Sequence, residues 1–336
     1  MKHILVLFPK DWDIDELEQP RYRTRYTFYY EGFDLFSFPQ NLKLATFNAR
    51  RYAEKLATKY CGRIDGVISN NEQFGALIAA VVAKLMGLPG TDPAVIIAAQ
   101  HKYYARCLQQ KILPEATPKF AVFPYHVRSA GDCGLPFPFY VKPVKATYSV
   151  LARTVGHFDE LRAHLTFNPL EKLIIRKLVK PFNDLMARYT PFDIDAHHLI
   201  AEEIMTGVQV NVDGYVHNGR VHVLGIVDEM MYPGTQAFMR FEYPSRLPPG
   251  VLLRMKALTE KLFTAIDYGY GFFNIELIYN PDEDSLHVIE INPRMASQIV
   301  NLYRRVDGYD PYDLLISLSL GEAPHVTFGS GEFGAA

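Results

Sequence analysis

Cysteine is scarce in this sequence, and no apolar run is long enough to cross a bilayer. The three cysteines, Cys61, Cys107 and Cys133, lie far apart. They show neither the CxxC spacing of metal and redox motifs nor the even number of a disulfide framework. Every apolar run is shorter than the roughly 18 residues of a transmembrane helix, and Lys10 and Asp11 closely follow the apolar start of the chain. We therefore predict a cytoplasmic protein in a reducing compartment.

An excess of charge of either sign is also missing. The 336 residues include 35 Lys or Arg and 37 Asp or Glu, so no overall field attracts nucleic acid or an anionic membrane. Arginines alternate with aromatic residues at 21–33, a pattern that can stack on a substrate or a nucleic acid strand, but the balanced charge favours an ordinary surface segment. We expect small molecules as partners, and neither nucleic acid nor membrane.

Hydrophobic patterns predict alternating strands and helices in the first third of the chain. Gly87 and Pro89 are typical of a helix end, and Asp92 and Pro93 of a helix start. We predict strands at 3–8 and 66–69, and helices at 48–60, within 71–90 and from 93 to 111.

The remainder reads as mixed strands and helices. Asn218-Gly219 between alternating strands is a strong hairpin signal. Residues 181–197 show little periodicity and are predicted to form a loop. We predict strands at 121–123, 138–144, 148–155, 172–179, 198–205, 208–216, 220–229, 271–280 and 285–292, and helices at 157–165, 251–266 and 310–321.

Two glutamates are predicted to face each other across the last hairpin. A turn centred on residue 283 would place Glu276 opposite Glu290, with Asn292 on the same strand face. Like charges across a ladder are destabilising, so a compensating cation is needed. Carboxylate and amide oxygens without nearby Cys or His favour Mg²⁺ or Mn²⁺ over zinc, and Mg²⁺ commonly binds together with substrate phosphates.

The alternative is that Glu276 and Glu290 are solvated residues on an exposed strand face. Leu286 and Val288 share that face, which argues against full exposure. Pro293 ends the strand, and the guanidinium of Arg294 immediately after it could hold a phosphoryl group or a substrate carboxylate.

Two lysines are further candidates for binding an anion. Lys142 lies at the end of an apolar strand, where a buried lysine needs an anionic partner, although a lysine that extends to the surface is an equally ordinary explanation. Lys102 lies on the preceding predicted helix, and a purely structural role explains it as well.

The order of these motifs resembles the ATP-grasp superfamily over residues 65–322. The residues that carry the resemblance are Lys102, VKP at 141–143 with Ser149 downstream, AEEIMTGVQV at 201–210, FFNIEL at 272–277 and VIEINPR at 288–294. The resemblance implies an α/β and α+β architecture in three parts. These are an N-terminal α/β domain (1–115), a small central lid (116–204) and a C-terminal subdomain with the metal site (205–328), with ATP between the last two.

The resemblance also implies a role for each matching residue. Lys102, Lys142 and Ser149 would contact the ATP phosphates, and Arg294 would stabilise an acyl-phosphate intermediate. Glu202, Glu203 and Met205 would lie at the adenine edge, largely through backbone groups. Glu276, Glu290 and Asn292 would bind one or two Mg²⁺ ions.

Two positions depart from the family pattern. Gln209 stands where a ribose-binding glutamate is usual, so its contact with a hydroxyl lacks charge. The lid loop VKATYS (144–149) lacks the glycines that in many relatives bring backbone N–H groups onto phosphate. Lys145 and Ser149 are the candidates to substitute for them.

The function implied is that of a carboxylate–amine ligase that forms an amide through an acyl phosphate and releases ADP and phosphate. Small carboxylate and amine substrates, above all amino acids, and a homodimer are expected. A biotin-carboxylase-like enzyme that activates bicarbonate is an alternative, although the sequence after residue 322 leaves no room for the extra domain of such enzymes. A non-catalytic ATP-binding regulator is the other alternative, supported by the glycine-poor lid loop and Gln209.

Overall fold

A computed structural model describes residues 1–146, 150–235 and 237–336. Within these ranges the strands form three sheets, of three, four and five strands. The sheets follow one another along the chain and lie within the segments predicted as three domains. The exact domain limits stay a prediction.

The first sheet is parallel, with strand order β2-β1-β3. Its strands are β1 (Lys2–Leu7), β2 (Tyr26–Glu31) and β3 (Gly66–Ile68), and its helices are α1 (Asp11–Leu17), α2 (Pro20–Arg23), α3 (Ala49–Lys59) and α4 (Gly75–Met86). The predicted strands and helices here are confirmed, while β2 falls in the aromatic segment 21–33, for which no strand was predicted. The carboxyl ends of all three strands lie at one edge of the sheet, because the strands are parallel.

The single helix predicted from 93 to 111 is two helices, α5 (Pro93–Gln100) and α6 (Lys102–Ile112). His101 has an extended backbone (φ −87°, ψ 97°) and caps α6, because its Nδ1 accepts the N–H of Tyr104 at 3.4 Å. Asp92 caps α5 through the N–H of Ala94, as predicted. The break makes Lys102 the first residue of α6.

The second sheet is antiparallel, with strand order β4-β7-β5-β6. Its strands are β4 (Phe120–Pro124), β5 (Phe139–Pro143), β6 (Arg153–Val155) and β7 (His198–Glu202), and α7 (Phe158–His164) covers it. Phe123, Phe139 and Leu161 are among its fully buried core residues.

The strand predicted at 172–179 and the first half of the loop predicted at 181–197 are wrong. Both belong to α8 (Pro169–Tyr189), which starts with a capping box of Asn168 and Glu171. Its buried residues Val179, Phe182 and Met186 recur every three to four positions, whereas the apolar run before them is largely exposed. Residues 190–197 contain neither helix nor strand. The C-terminal half of α8 packs against α3 and α5.

The third sheet is antiparallel, with strand order β10-β9-β8-β11-β12. Its strands are β8 (Val208–His217), β9 (Arg220–Met231), β10 (Phe238–Glu242), β11 (Gly271–Asn280) and β12 (Ser285–Asn292), and α9 (Pro249–Ala265), α10 (Val300–Val306) and α11 (Pro311–Ser319) complete this part. The predicted Asn218-Gly219 turn is confirmed, with φ of 50° and 74°. Strand β10 and helix α10 were not predicted. No helix in the described ranges has the length and apolar character of a membrane span.

Candidate active site

The last hairpin has the predicted pairing. Glu276 lies directly opposite Glu290, and Asn274 opposite Asn292. The register shifts by one residue immediately after Glu276, so a β-bulge lies beside the two carboxylates. Bulges commonly redirect side chains next to active sites. The interpretation of this face as fully solvated is wrong, because Glu290 is 22% exposed and Asn292 is buried.

The two glutamates have different surroundings. The amides of Asn292 and Gln209 donate to the two oxygens of Glu276, at 3.1 and 3.3 Å. Burial, and then the charges of Glu290 and Glu229, raise the pKa of Glu276 to about 8. Glu290 instead accepts from Lys102 Nζ at 3.1 Å. The carboxylate pair therefore lacks full compensation by the protein's own cations.

This donor set fits a hard divalent cation. The two facing carboxylates and the adjacent amide all offer oxygen ligands. Without a cation, it is costly to bury the two glutamates beside each other. Among the described residues there is no group of three or more His, Cys, Asp and Glu side chains arranged to hold a metal. Mg²⁺ suits such a site, because it usually takes one or two carboxylates and completes its shell with phosphate and water.

Lys102 joins three parts of the molecule at this hairpin. Its Nζ donates to Glu290 and, at 3.0 Å, to the carbonyl of Ala146, and its backbone N–H donates to the carbonyl of Val144 at 3.0 Å. The start of α6, the loop after β5 and strand β12 therefore meet at one ammonium group.

Lys142 is buried rather than extended to the surface. Its Nζ lies 2.8 Å from Glu202 Oε2, and both residues are at most 5% exposed. Burial acts to raise the pKa of Glu202, but Arg106 and Lys142 outweigh it and hold that pKa at about 2. The carboxylate is thus ionised and shared between two cations.

Arg106 was missed by the sequence analysis. Its Nε donates to Glu202 at 2.7 Å, and its Nη atoms donate to the carbonyls of Val288 and Ile289 at 2.6 and 2.9 Å. It connects β7, through Glu202, to β12, the strand that holds Glu290. A signal was available, because Arg106 lies four residues after Lys102 on one face of α6.

The predicted adenine edge lies between β7 and β8. The side chain of Glu202 is directed to Arg106 and Lys142, so it is not available to a base. Glu203 is exposed, and its N–H donates to the carbonyl of Lys119 at 2.9 Å. Met205 is half-buried in the connection to β8. Ser149 lies outside the described residues.

Arg294 lies beside a second residue that the sequence analysis missed, Glu72. Arg294 Nη2 donates to Glu72 Oε2 at 2.8 Å. The backbone carbonyl of Glu72 accepts from Lys145 Nζ at 3.0 Å and from Gln100 Nε2 at 3.1 Å. Burial lowers the pKa of Lys145 to about 8. Glu72 follows the carboxyl end of β3, the edge at which parallel sheets usually bind ligands, and that position was the available signal.

His101, at the start of α6, gives the fold a testable dependence on pH. Burial lowers its pKa to about 4, below the value of ~6.5 in an unfolded chain. Between these two pKa values the unfolded chain binds more protons than the folded one. The contribution of neutral His101 to the free energy of unfolding is therefore complete above pH ~6.5 and is lost as the pH falls towards ~4. His101→Asn keeps a capping side chain without a titrating ring, and should remove up to about 3 kcal/mol of this dependence.

Urea unfolding from pH ~4.5 to ~7.5 measures this effect. The exposed His126→Asn is the matched control and should retain the wild-type profile. If the free energy of unfolding of His101→Asn depended on pH as it does in the wild type, His101 would not be the titrating group.

Known proteins share both sequence and fold with this chain. The ATP-grasp domain family matches residues 135–301. The carbamoyl phosphate synthase large chain of Clostridium acetobutylicum is 25% identical over 129 residues, which are 38% of this chain and 12% of that protein. This chain therefore corresponds to a small part of that relative.

Solved structures with the same fold span nearly the whole chain. An L-amino acid ligase from Bacillus licheniformis superposes with a TM-score of 0.67 at 19% identity, over 99% of this chain and 76% of that one. A phosphoribosylglycinamide synthetase from Anaerococcus prevotii superposes with a TM-score of 0.65 at 16% identity, over 96% and 76% of the two chains. The matched model identifies residues 135–301 as an ATP-grasp domain, and nearly the whole chain shares the fold of these solved structures.

Proposed function

We propose that the protein is an ADP-forming ligase that joins a small carboxylic acid to an amine. The observation that carries the proposal is the Glu276–Glu290 pair with Asn292 beside it, where Lys102 touches Glu290. A strand face with paired carboxylates and nearby lysines suits a metal–nucleotide complex, because the carboxylates would hold Mg²⁺, and Mg²⁺ and the lysines would both neutralise phosphate charge.

The reaction is a phosphoryl transfer followed by an acyl transfer. A carboxylate oxygen of the acid attacks the γ-phosphorus of ATP, and the bond to ADP breaks. The amine nitrogen then attacks the acyl carbon and phosphate leaves, so the product equals acid plus amine minus one water. No protein nucleophile is required, and catalysis rests on positioning and on charge stabilisation.

Each residue has a defined part in this proposal. Glu276, Glu290 and Asn292 would hold Mg²⁺, which neutralises phosphate charge when bound. Lys102 binds phosphate. Lys142, on strand β5 of the lid, is the second lysine that the family resemblance assigns to phosphate binding. Arg294 stabilises the oxygens of the acyl phosphate as negative charge builds on them.

Amino acids are the substrate class that we favour. The similarity in fold to an L-amino acid ligase supports this choice. The balanced charge of the site is also suited to substrates that carry both an ammonium and a carboxylate.

The experiment is ADP release by the purified protein with Mg-ATP, tested with pooled amino acids, with other small acids plus amines, and with bicarbonate. The expected result is ADP formation that needs both an acid and an amine, with a product lighter by one water than their sum in mass spectrometry. ADP formation with bicarbonate alone would replace the proposal by the carboxylating reaction. ATP binding without ADP release in any pool would favour the regulator.

A further inference from the structure

A row of buried polar side chains crosses the third sheet beside the carboxylate pair. Asp213 on β8, Asn274 on β11 and Asn292 on β12 lie opposite one another in the registers of these neighbouring strands, and we call them the polar row. Each is at most 3% exposed. Residues two apart on a strand share a face, so the polar row lies on the face that carries Glu276 and Glu290.

The hydrogen bonds of the polar row all run towards a carboxylate. Asn292 Nδ2 donates to Asn274 Oδ1 at 3.2 Å, and Asn274 Nδ2 donates to Asp213 Oδ1 at 3.0 Å. A side branch has the same direction, because Asn274 Nδ2 also donates to Asn211 Oδ1 at 2.8 Å, and Asn211 Nδ2 donates to Glu229. Both branches therefore end on a buried carboxylate.

These carboxylates determine which way the amides point. An ionised carboxylate can only accept hydrogen bonds, so the neighbouring amide must present its nitrogen to it and its oxygen to the next residue. Burial raises the pKa of Asp213 to about 6, so this carboxylate is ionised at pH ~8. An amide turned round would bring two buried oxygens together without a proton between them, which is costly.

Asn292 is the outer end of the polar row and has its oxygen left over. Its Nδ2 uses both N–H bonds, one for Asn274 Oδ1 and one for Glu276 Oε1. Nothing in the described part of the chain donates a hydrogen bond to its Oδ1. If this amide were turned round, its oxygen would face two acceptors. The polar row thus leaves an oxygen, and not an N–H group, for a ligand.

We propose that Asn274, oriented by Asp213, is a positioning residue that holds the Asn292 amide with its oxygen available to the divalent cation. The inference rests on the metal site of the proposed function and adds two residues that are not themselves assigned to the cation. A cation is attracted by an amide oxygen and repelled by an amide N–H, so the direction of the polar row decides whether Asn292 helps or hinders its binding.

The first test changes the outer end of the polar row. Asn292→Asp adds a negative charge, which by charge alone should strengthen binding of Mn²⁺. The polar row predicts the opposite, because the new carboxylate would face the oxygens of Asn274 and Glu276 without a proton. We expect the affinity for Mn²⁺ to fall by about tenfold.

The second test exchanges the two ends. Asp213→Asn alone should change the affinity by less than about threefold, since an amide oxygen can still accept from Asn274. In the double variant Asp213→Asn with Asn292→Asp, Asn274 can turn round, accept from position 213 and donate to position 292. We expect the double variant to bind Mn²⁺ at least about threefold more tightly than Asn292→Asp, whereas two purely structural losses would add. Recovery is partial, because the bond to Asn211 is lost.

Binding of Mn²⁺ is measured by electron paramagnetic resonance with a non-hydrolysable ATP analogue at pH ~8, so that no turnover is needed. Asn301→Asp, at an exposed position of α10, is the matched control and should keep wild-type affinity. Thermal melting verifies that each variant is folded. If Asn292→Asp does not fold, Asn274→Leu interrupts the polar row at similar volume, and the affinity for Mn²⁺ should fall by about threefold to tenfold.

Failure of this inference can be distinguished from failure of the proposed function. Tighter binding in Asn292→Asp, losses that add in the double variant, or unchanged affinity in a folded Asn274→Leu protein would each overturn the inference and leave the ligase standing. Absence of Mn²⁺ binding by the wild-type protein with the ATP analogue would overturn the metal assignment and, with it, the proposed function.

Discussion

Glu290→Gln should lower ATP-dependent product formation by about a thousandfold or more while the protein stays folded. The substitution removes one of the two facing carboxylates that would hold the metal–nucleotide complex. It also relieves the repulsion between Glu276 and Glu290, which offsets the lost contact with Lys102. The expected change in stability is therefore small, within about 1 kcal/mol. Coupled ADP release and thermal melting measure the two effects separately.

The matched control is Glu283→Gln in the turn of the same hairpin. Glu283 is exposed and carries the same change of charge, so this variant should keep wild-type turnover. Near-normal turnover of Glu290→Gln would contradict the metal assignment. Equal losses in both variants would mean that the hairpin responds to charge in general.

Arg106→Leu should destabilise the protein by about 3 kcal/mol or more. This is the largest effect on stability that we expect from the loss of one buried charged side chain. The guanidinium is 2% exposed and binds Glu202 and the carbonyls of Val288 and Ile289. Its removal leaves Glu202 buried with Lys142 as its remaining cation and takes donors from two strand carbonyls. Urea unfolding measures the loss of unfolding free energy, and the m value is compared between the two proteins to verify that they unfold in the same way.

Arg51→Leu on α3 is the control, because Arg51 is exposed and its loss should change stability by less than about 0.5 kcal/mol. Comparable losses in the two variants would show that Arg106 acts as an ordinary surface charge. Arg106→Lys should recover only part of the stability, because a single ammonium cannot reach Glu202 and both carbonyls at once.

The parts of the fold that were predictable from sequence are those with local causes. The Asn218-Gly219 turn and the hairpin that pairs Glu276 with Glu290 follow from turn residues and the two-residue period of strands. Helix α8 was misread because the apolar residues of its first half are exposed, so their run imitated a buried strand. Its capping box was the more reliable local signal.

The ion pairs of the site lie beyond such reasoning. Arg294 and Glu72 are 222 positions apart, and Arg106 and Glu202 are 96 apart. No periodicity relates residues at such separations, and only the packing of the three sheets brings them together. The family resemblance supplied Lys102, Lys142 and Arg294, and also Glu202 and Glu290, as separate residues. It did not indicate which of them pair, and it did not supply Glu72, the partner of Arg294.

Helix α8 limits how the second sheet can move. The chain leaves this sheet after α7, enters α8, whose second half is buried against α3 and α5, and returns to the sheet at β7. A rigid swing of the whole segment would separate α8 from those helices. Rotation of the sheet relative to α8 would therefore have to be taken up at residues 165–168 and 190–197, which contain neither helix nor strand, and in the connections before β4 and after β7. A sheet held by four connections has less freedom than one joined to the protein by a single hinge.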